Sequence, residues 1–345
     1  MTTVLTPTLH RSRDVVDAAL REIVGRMDPA SRAAASYHLG WTGTDGRPAT
    51  GGGGKALRPA LALLSAQAAG APIEAGLPGA VAVELVHNFS LLHDDVMDGD
   101  AQRRHRPTVW AVWGVPTAIL TGDAMLAAAS EALLASGSVR APQAALLLVR
   151  ATRELIRGQH EDLAFERRRD VTVEECLRMA EGKTGALLAA SASIGAVLAD
   201  GPTEVVEALE AYGDHLGLAF QLVDDLLGIW GDLATTGKPV LADLRAQKKS
   251  LPISYALAQH GPASAELAAW FAGDRADNEG ADNELALRRA ADLVEAAGGR
   301  NWALSQARER VRLAEAALSA VPLPAQVREE LVSLARFVVS RGVPR

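Results

Sequence analysis

The chain has 345 residues, 48% of them hydrophobic, which is enough to bury one large core or two small ones. The net charge of −7 argues against nucleic acid as a partner, because nucleic-acid-binding surfaces are basic. The single cysteine, Cys176, excludes an intramolecular disulfide and favours a reducing, cytoplasmic setting with an inert thiol. Aromatic residues are only 4% of the chain, and apolar residues recur at spacings of three and four, so the sequence predicts an all-α protein.

The first half of the chain predicts long helices. Residues 11–38 form one or two amphipathic helices, with a break at Asp28-Pro29. Residues 41–54 contain four consecutive glycines and predict a loop, and the next helix is expected near Lys55. Further helices are predicted at 77–98, 116–136 and 141–166.

The second half continues this pattern. Thr172 and Glu175 fit a capping box, and a helix is expected to open at Pro202-Thr203. Residues 231–250 are polar and lysine-rich, which predicts a loop over a site, and four or five shorter helices follow Ser250. Residues 273–282 predict a mobile loop.

No repeat and no linker divides the chain, so we expect one domain over residues 1–345, with disorder in residues 1–10. The longest uncharged apolar stretch, 185–199, is too short to span a bilayer comfortably and predicts a buried helix. The N-terminus lacks the basic and apolar segments of a signal peptide. We therefore expect a soluble protein without an integral membrane span.

A cluster of carboxylates ends the helix predicted at 77–98. Asp94 and Asp98 lie one helical turn apart on the same face, with Asp95 beside them. Three carboxylates so close repel one another unless cations screen them, and Mg²⁺ prefers oxygen ligands of this kind. Arg103 and Arg104 follow, and guanidinium groups suit phosphate. The pattern predicts a Mg²⁺ ion that bridges the protein and a diphosphate.

A second acidic pair, Asp224-Asp225, also follows an apolar stretch, about 130 residues after the first cluster. Lys238, Lys248 and Lys249 come after it. A solvated charged face would explain either cluster alone, but it explains the two together poorly. The repetition favours two metal-binding motifs around one substrate.

These residues resemble the trans-isoprenyl diphosphate synthases, the head-to-tail prenyltransferases. The resemblance implies an all-α, single-domain bundle of roughly 12–14 helices around a deep central cavity. It rests on five ordered blocks: Gly53-Gly54-Lys55-Ala-Leu-Arg58-Pro59; His87 ahead of Asp94-Asp95-Val-Met-Asp98; Arg103-Arg104; Lys183-Thr184; and Phe220-Gln221-Leu-Val-Asp224-Asp225 with Thr236-Gly237-Lys238 and Lys248.

The resemblance assigns roles to these positions. It implies three Mg²⁺ ions with an allylic diphosphate bound, and isopentenyl diphosphate as the second substrate. The Mg²⁺ ligands would be Asp94, Asp98 and Asp224, supported by Asp95 and Asp225. The allylic diphosphate would contact Arg103, Lys183 and Lys238, and isopentenyl diphosphate would contact Lys55, Arg58, His87 and Arg104. Beside the reacting carbons would lie Thr184 and Gln221, with Lys248 helping to close the site.

The product length is expected to depend on residues one turn deeper than Asp94, namely Phe89 and Ser90. One aromatic residue at the deeper position, without an insertion in the acidic motif, resembles geranylgeranyl diphosphate synthases. Farnesyl or longer products are the alternatives. The family generally dimerises, which implies a homodimer.

Three features depart from the family pattern. Gly228 stands where a third aspartate is usual, His105 stands where glycine is common, and Ala246-Gln247 precede Lys248 where Gly-Lys is more usual. Gly228 is the one feature that would support a weakly active regulatory subunit. A class I terpene cyclase would lack a use for Lys55 and Arg58, and a helical scaffold with coincidental charges is the remaining alternative.

Overall fold

The structure, a computed structural model, describes residues 5–49, 56–168, 170–231, 240–273 and 281–340. The predicted all-α fold is confirmed. The described residues form sixteen α-helices, fourteen of them with eight or more residues. They are α1 (Leu5–Gly25), α2 (Pro29–His38), α3 (Leu57–Ala68), α4 (Leu77–Met97), α5 (Val109–Trp113), α6 (Val115–Leu134), α7 (Ala141–Arg167), α8 (Val173–Ala180), α9 (Ala186–Leu198), α10 (Thr203–Trp230), α11 (Ala242–Arg245), α12 (Leu251–Ala258), α13 (Pro262–Ala272), α14 (Ala281–Ala296), α15 (Gly299–Ser319) and α16 (Ala325–Ser340).

Local sequence signals account for several helix starts. The Asp28 carboxylate accepts hydrogen bonds from the amides of Ala30 and Ser31, and Pro29 is the first residue of α2, so the predicted break is confirmed. The predicted capping box also forms, because Thr172 and Glu175 bond to each other's backbone amides. These bonds satisfy amides that have no partner inside a helix.

Some elements were not predicted. A 3₁₀ turn, Ile73–Gly76, precedes α4, and a π-helical turn, Glu181–Gly185, joins α8 to α9. Two short antiparallel strands, β1 (Gln102–Arg103) and β2 (Arg106–Pro107), form a hairpin after the first acidic cluster. The predicted polar segment 231–250 contains α11, and its residues 232–239 lie outside the described residues.

The first of two compact units consists of Met1–Thr152, Leu187–Gly213 and Ala317–Ser333. Its core includes α9, the buried helix that the sequence predicted at 185–199. A Cβ atom on Gly195 would lie 2.0 Å from the carbonyl oxygen of Ala62, so the backbones of α9 and α3 are in direct contact there. Small residues thus allow close helix packing around α4, which carries the first acidic cluster.

The second unit consists of Arg153–Ala186, Asp214–Ala316 and Leu334–Arg345. One apolar cluster packs α8 against α10 through buried residues such as Met179 and Leu222. A second cluster packs the end of α10 against the helices that follow, with Ile229 and Ile253 at its centre. These clusters fix the end of α10, where the second acidic pair lies.

Two helical stretches, Ile73–Met97 and Val115–Leu134, are long and apolar enough to cross a membrane. In the first stretch, 67% of an apolar segment of 18 residues is buried inside the protein, and in the second stretch 39% of such a segment is buried. Core helices of soluble proteins pass the same test, so length and hydropathy alone do not indicate a membrane span.

Candidate functional site

The three aspartates of the first acidic cluster have different environments. Asp94 is half-buried, and Asp98 is exposed just after the end of α4. Asp95 is 1% exposed, and its Oδ1 accepts a hydrogen bond of 2.7 Å from Nε of Arg103. Burial raises the pKa of Asp95, and the Arg103 guanidinium opposes this shift. Asp94 and Asp98 are therefore the members of the cluster that are most exposed to solvent.

The hairpin positions both arginines of the Arg103-Arg104 pair. Arg104 and His105 form its two-residue turn with φ of 51° and 62°, the left-handed conformation that such turns require and that glycine adopts most easily. The Arg106 guanidinium stacks 4.1 Å from the centre of the Tyr37 ring and donates to two carbonyl oxygens, those of Tyr37 and Thr42. The end of α2 therefore holds the hairpin in place.

A second group of charged residues surrounds His87 in the same unit. Burial lowers the pKa of His87 well below 6.5, and the charges of Arg58 and Arg104 lower it further, so the imidazole is neutral. Burial raises the pKa of Glu84, and Arg58 is the largest influence in the opposite direction. The structure therefore brings together three of the four residues predicted to bind isopentenyl diphosphate. The fourth, Lys55, lies outside the described residues.

In the second unit, two glycines bring α7 against the π-helical turn. A Cβ atom on Gly158 would lie 2.2 Å from the amide nitrogen of Lys183, and one on Gly182 would lie 2.8 Å from the carbonyl oxygen of Glu154. One turn after Gly158, Asp162 accepts a bond of 2.6 Å from Nζ of Lys183. The close backbone contact therefore sets the position of the lysine.

Asp162 also lies 3.5 Å from Nζ of Lys248, so one carboxylate holds both lysines. Burial alone would raise the pKa of Asp162, but Lys248 and Lys183 together hold it below its ordinary value. The sequence prediction missed Asp162, because its partners are 21 and 86 positions away. Lys238, the third predicted lysine, lies outside the described residues.

A chain of side-chain hydrogen bonds leads from the π-helical turn to the second acidic pair. Thr184 Oγ1 donates to Gln221 Oε1 at 2.7 Å, and Gln221 Nε2 donates to Asp225 Oδ1 at 2.7 Å. Asp225 Oδ2 accepts from the amide of Leu251 at 2.9 Å. Asp225 is thus buried and held by protein groups, as Asp95 is, whereas Asp224 is exposed. In both acidic motifs the first aspartate is thus more exposed than the second.

The glycine at position 228 makes room for another carboxylate. A Cβ atom on Gly228 would lie 2.4 Å from Oδ2 of Asp243 and 2.6 Å from Oδ1. Burial, and next the charge of Asp243, raise the pKa of Asp225 to about 7. A carboxylate therefore lies where the usual third aspartate is missing, and it comes from α11.

The two residues considered for product length are both buried. Phe89 is 6% exposed, and its ring meets the His93 ring edge to face at 4.8 Å. Nε2 of His93 lies 3.1 Å from the carbonyl oxygen of Ile119 on α6, where Gly122 leaves space for the imidazole. Ser90 Oγ donates to the carbonyl oxygen of His87. Phe89 therefore packs against His93 of its own helix, and His93 in turn contacts α6.

The donor chemistry of the site can be compared with the needs of Mg²⁺. Among the residues that the structure describes, no three His, Cys, Asp or Glu side chains approach closely enough to hold a metal ion by themselves. Mg²⁺ usually keeps several waters and binds one or two carboxylates together with substrate phosphates. Asp94 and Asp98 in the first unit, and Asp224 in the second unit, are carboxylates that solvent reaches, so each acidic motif by itself offers the one or two carboxylates that Mg²⁺ requires.

Comparison with known proteins shows the family to which the chain belongs. Residues 47–287 match the family described as polyprenyl synthetase. The chain is 51% identical to (2E,6E)-farnesyl diphosphate synthase of Mycobacterium tuberculosis, over 97% of this chain and 93% of the relative. It is 44% identical to geranylgeranyl diphosphate synthase of the same organism, over 97% of this chain and 90% of the relative.

A solved structure, polyprenyl synthetase from Streptomyces coelicolor A3(2), superposes with a TM-score of 0.91 at 52% identity. The match covers 97% of this chain and 99% of the other. The chain belongs to the polyprenyl synthetase family and is a trans-isoprenyl diphosphate synthase, a head-to-tail prenyltransferase.

Proposed function

We propose that this prenyltransferase condenses isopentenyl diphosphate with an allylic diphosphate in a Mg²⁺-dependent reaction whose main product is geranylgeranyl diphosphate. The observation that carries the proposal is the repeated arrangement of the two acidic motifs. In each motif the first aspartate is more exposed to solvent than the second, which is buried and hydrogen-bonded, to Arg103 in one case and to Gln221 in the other. The more exposed carboxylates can be approached from solvent, while the buried ones hold the cationic and amide groups around them.

The residues present suit a metal-bound diphosphate. Asp94, Asp98 and Asp224 would hold Mg²⁺, which when bound would stabilise the charge that develops on the leaving diphosphate. Arg103, Lys183 and Lys238 would contribute further positive charge to the same group, and Lys248 would help to close the site. Because Asp162 already orders Lys183 and Lys248, little reorganisation is needed when the substrate binds.

The second substrate has a separate set of partners. Arg58, Arg104 and the neutral imidazole of His87 would bind the diphosphate of isopentenyl diphosphate, together with Lys55. A neutral imidazole has one N–H donor and is compatible with two adjacent guanidinium groups. Thr184 and Gln221 would lie beside the reacting carbons. The Gln221 amide, whose orientation is fixed by its hydrogen bond from Thr184, would place a polar group next to the allylic cation.

The proposed product length depends on Phe89. Its buried ring, fixed by His93, would limit the chain, while Ser90 leaves room beside it. A farnesyl product is the second candidate, and the observation that favours it is the 51% identity to a farnesyl diphosphate synthase.

We also propose that the enzyme is a homodimer. Large apolar side chains are exposed on α6, on α7 and between them, and exposed apolar patches commonly mark protein interfaces. They include Leu120 (63% exposed), Leu134 (59%), Val139 (81%) and Leu146 (49%). Light scattering during size-exclusion chromatography should give twice the chain mass, and Leu120→Lys should shift the protein toward the monomer. A monomeric wild-type protein would contradict the proposal.

The proposed reaction is tested by incorporation of radiolabelled isopentenyl diphosphate into dimethylallyl, geranyl and farnesyl diphosphate. We expect incorporation with Mg²⁺ and none with EDTA. Lys183→Ala should lower kcat/KM by about 100-fold, because it removes a preorganised positive charge. Arg312→Ala is the matched control, since it removes a cation that pairs only with exposed Glu309 among the contacts described. Equal losses in the two variants would contradict the proposed role of Lys183.

A further inference from the structure

A small cavity lies between the end of α2 and the first acidic motif. Its volume is about 30 Å³, and a water molecule needs roughly 10–15 Å³ of such space. Seven of its nine lining residues have polar side chains, among them Tyr37, His38, Asp95, Arg103, Arg104 and Arg106. The cavity is therefore large enough for an ordered water and polar enough to keep it.

Two buried polar atoms belong to residues that line this cavity. They are Nε2 of His38 and Oδ2 of Asp95, and within the described residues neither atom has a hydrogen-bond partner. The Asp95 side chain is almost fully buried, and its other oxygen is already bonded to Arg103. Leaving such atoms unpaired costs free energy, so buried polar atoms usually bind protein groups or ordered water.

The hydrogen bonds around His38 determine whether its Nε2 is a hydrogen-bond donor or an acceptor. The Asn88 amide nitrogen donates to the backbone carbonyl and the carboxylate of Glu84, so the amide oxygen of Asn88 remains to accept from His38. Burial lowers the pKa of His38 to about 3, with help from nearby Arg104, so the ring is neutral. With Nδ1 as the donor to Asn88, Nε2 is an acceptor.

Two acceptors, a histidine nitrogen and a carboxylate oxygen, cannot bond to each other. A water molecule can donate one proton to each of them and accept a bond from a neighbouring guanidinium group. We propose that an ordered water in this cavity joins His38 Nε2 to Asp95 Oδ2, and that His38 is thereby a positioning residue for the Asp95–Arg103 pair. The N-terminal helix α2 thus supports the acidic motif.

The kinetic consequence rests on the proposed function, in which Arg103 contacts the allylic diphosphate. His38→Leu removes the acceptor and should raise KM for the allylic diphosphate roughly 5- to 10-fold, the loss expected for one hydrogen bond near a charged group. KM for isopentenyl diphosphate should change less than about 2-fold, because a positioning effect on Arg103 reaches one substrate only. His38→Gln, which offers an amide oxygen, should restore part of the loss.

Tyr37→Phe is the matched control. The Tyr37 hydroxyl donates to the carbonyl oxygen of Pro107 and lines the same cavity, but it bonds to neither His38 nor Asp95. This variant keeps the ring on which the Arg106 guanidinium stacks and the backbone carbonyl to which it donates, so the hairpin stays in place and both KM values should remain within about 2-fold of the wild type. If Tyr37→Phe and His38→Leu raise both KM values alike, the selective role of His38 is overturned.

A crystal structure of the wild-type protein tests the water without any kinetic assumption. We expect an ordered water within hydrogen-bond distance of both atoms, and its loss in His38→Leu. A wild-type structure at high resolution without this water would overturn the proposal. If the water is present but the protein condenses no substrate, the proposed function fails while the bridge stands.

Discussion

An aspartate at position 228 would match the family pattern, yet the structure predicts that Gly228→Asp destabilises this protein. The new Cβ atom would lie 2.4 Å from Oδ2 of Asp243, which therefore has to move by roughly 1 Å to reach van der Waals contact. Overpacking of this kind costs about 1–3 kcal/mol. A further carboxylate about 4 Å from a charged neighbour adds up to roughly 4 kcal/mol at an effective dielectric constant of 20, less what protonation relieves. We expect a total loss of about 2–5 kcal/mol in the free energy of unfolding.

Urea unfolding followed by far-UV circular dichroism measures this loss. Gly228→Ala isolates the steric contribution, offset by about 1 kcal/mol because alanine is the better helix former. The double variant Gly228→Asp with Asp243→Gly moves the carboxylate from one position to the other, so it should recover most of the lost stability. Unchanged stability of Gly228→Asp, or no recovery in the double variant, would refute the reasoning about this contact.

Three further predictions concern stability and reactivity. Gly158→Ala should lower the free energy of unfolding by roughly 3 kcal/mol or more, since its Cβ atom would lie 2.2 Å from the backbone nitrogen of Lys183. Gly25→Ala, which has open space around it, should be neutral or slightly stabilising in the same urea experiment. Arg168 lowers the pKa of Glu175 to about 2, so this pair stabilises the fold above pH 4.5, and the stabilisation is lost as the pH falls toward 2. Glu175→Gln keeps a capping residue and should therefore lose less stability than the wild type over that pH range. Acid unfolding curves that run parallel for the two proteins would contradict this prediction. Burial raises the pKa of the Cys176 thiol to about 12, so the folded protein should not react with Ellman's reagent at pH 8, and rapid labelling would show that the thiol is accessible.

The parts of the fold that were predictable depend on neighbours in sequence. The break at Asp28-Pro29 and the capping box of Thr172 and Glu175 involve residues at most three positions apart, so the sequence contains the whole signal. The apolar periodicity of α4 likewise located the first acidic cluster at a helix end.

The features that were missed depend on contacts between distant segments. The π-helical turn at Lys183 follows from the close approach of two glycines. Asp162 is recognised as a site residue only by its hydrogen bond to Lys183, which is 21 positions away. The hairpin strands have two residues each and show no alternating pattern. His38 belongs to none of the motifs in the sequence, and Asn88, its partner, is 50 positions away.

The departures at positions 105 and 228 have physical explanations in the structure. His105 occupies a left-handed turn position, which glycine would adopt with less strain. The hairpin forms in spite of this strain, without the glycine that is common at this position. Gly228 adjoins the carboxylate of Asp243. The space that an aspartate side chain at position 228 would need is therefore occupied by a carboxylate from another helix. Neither departure removes a residue from the first acidic cluster.

Product analysis by mass spectrometry tests the central claim most directly. The purified protein would be incubated with Mg²⁺, isopentenyl diphosphate and each of three primers, dimethylallyl, geranyl and farnesyl diphosphate, with an EDTA control. We expect a metal-dependent C20 diphosphate. A C15 product would retain the proposed reaction and refute the role of Phe89 in setting a C20 length, whereas failure to condense any primer would contradict the proposed function itself.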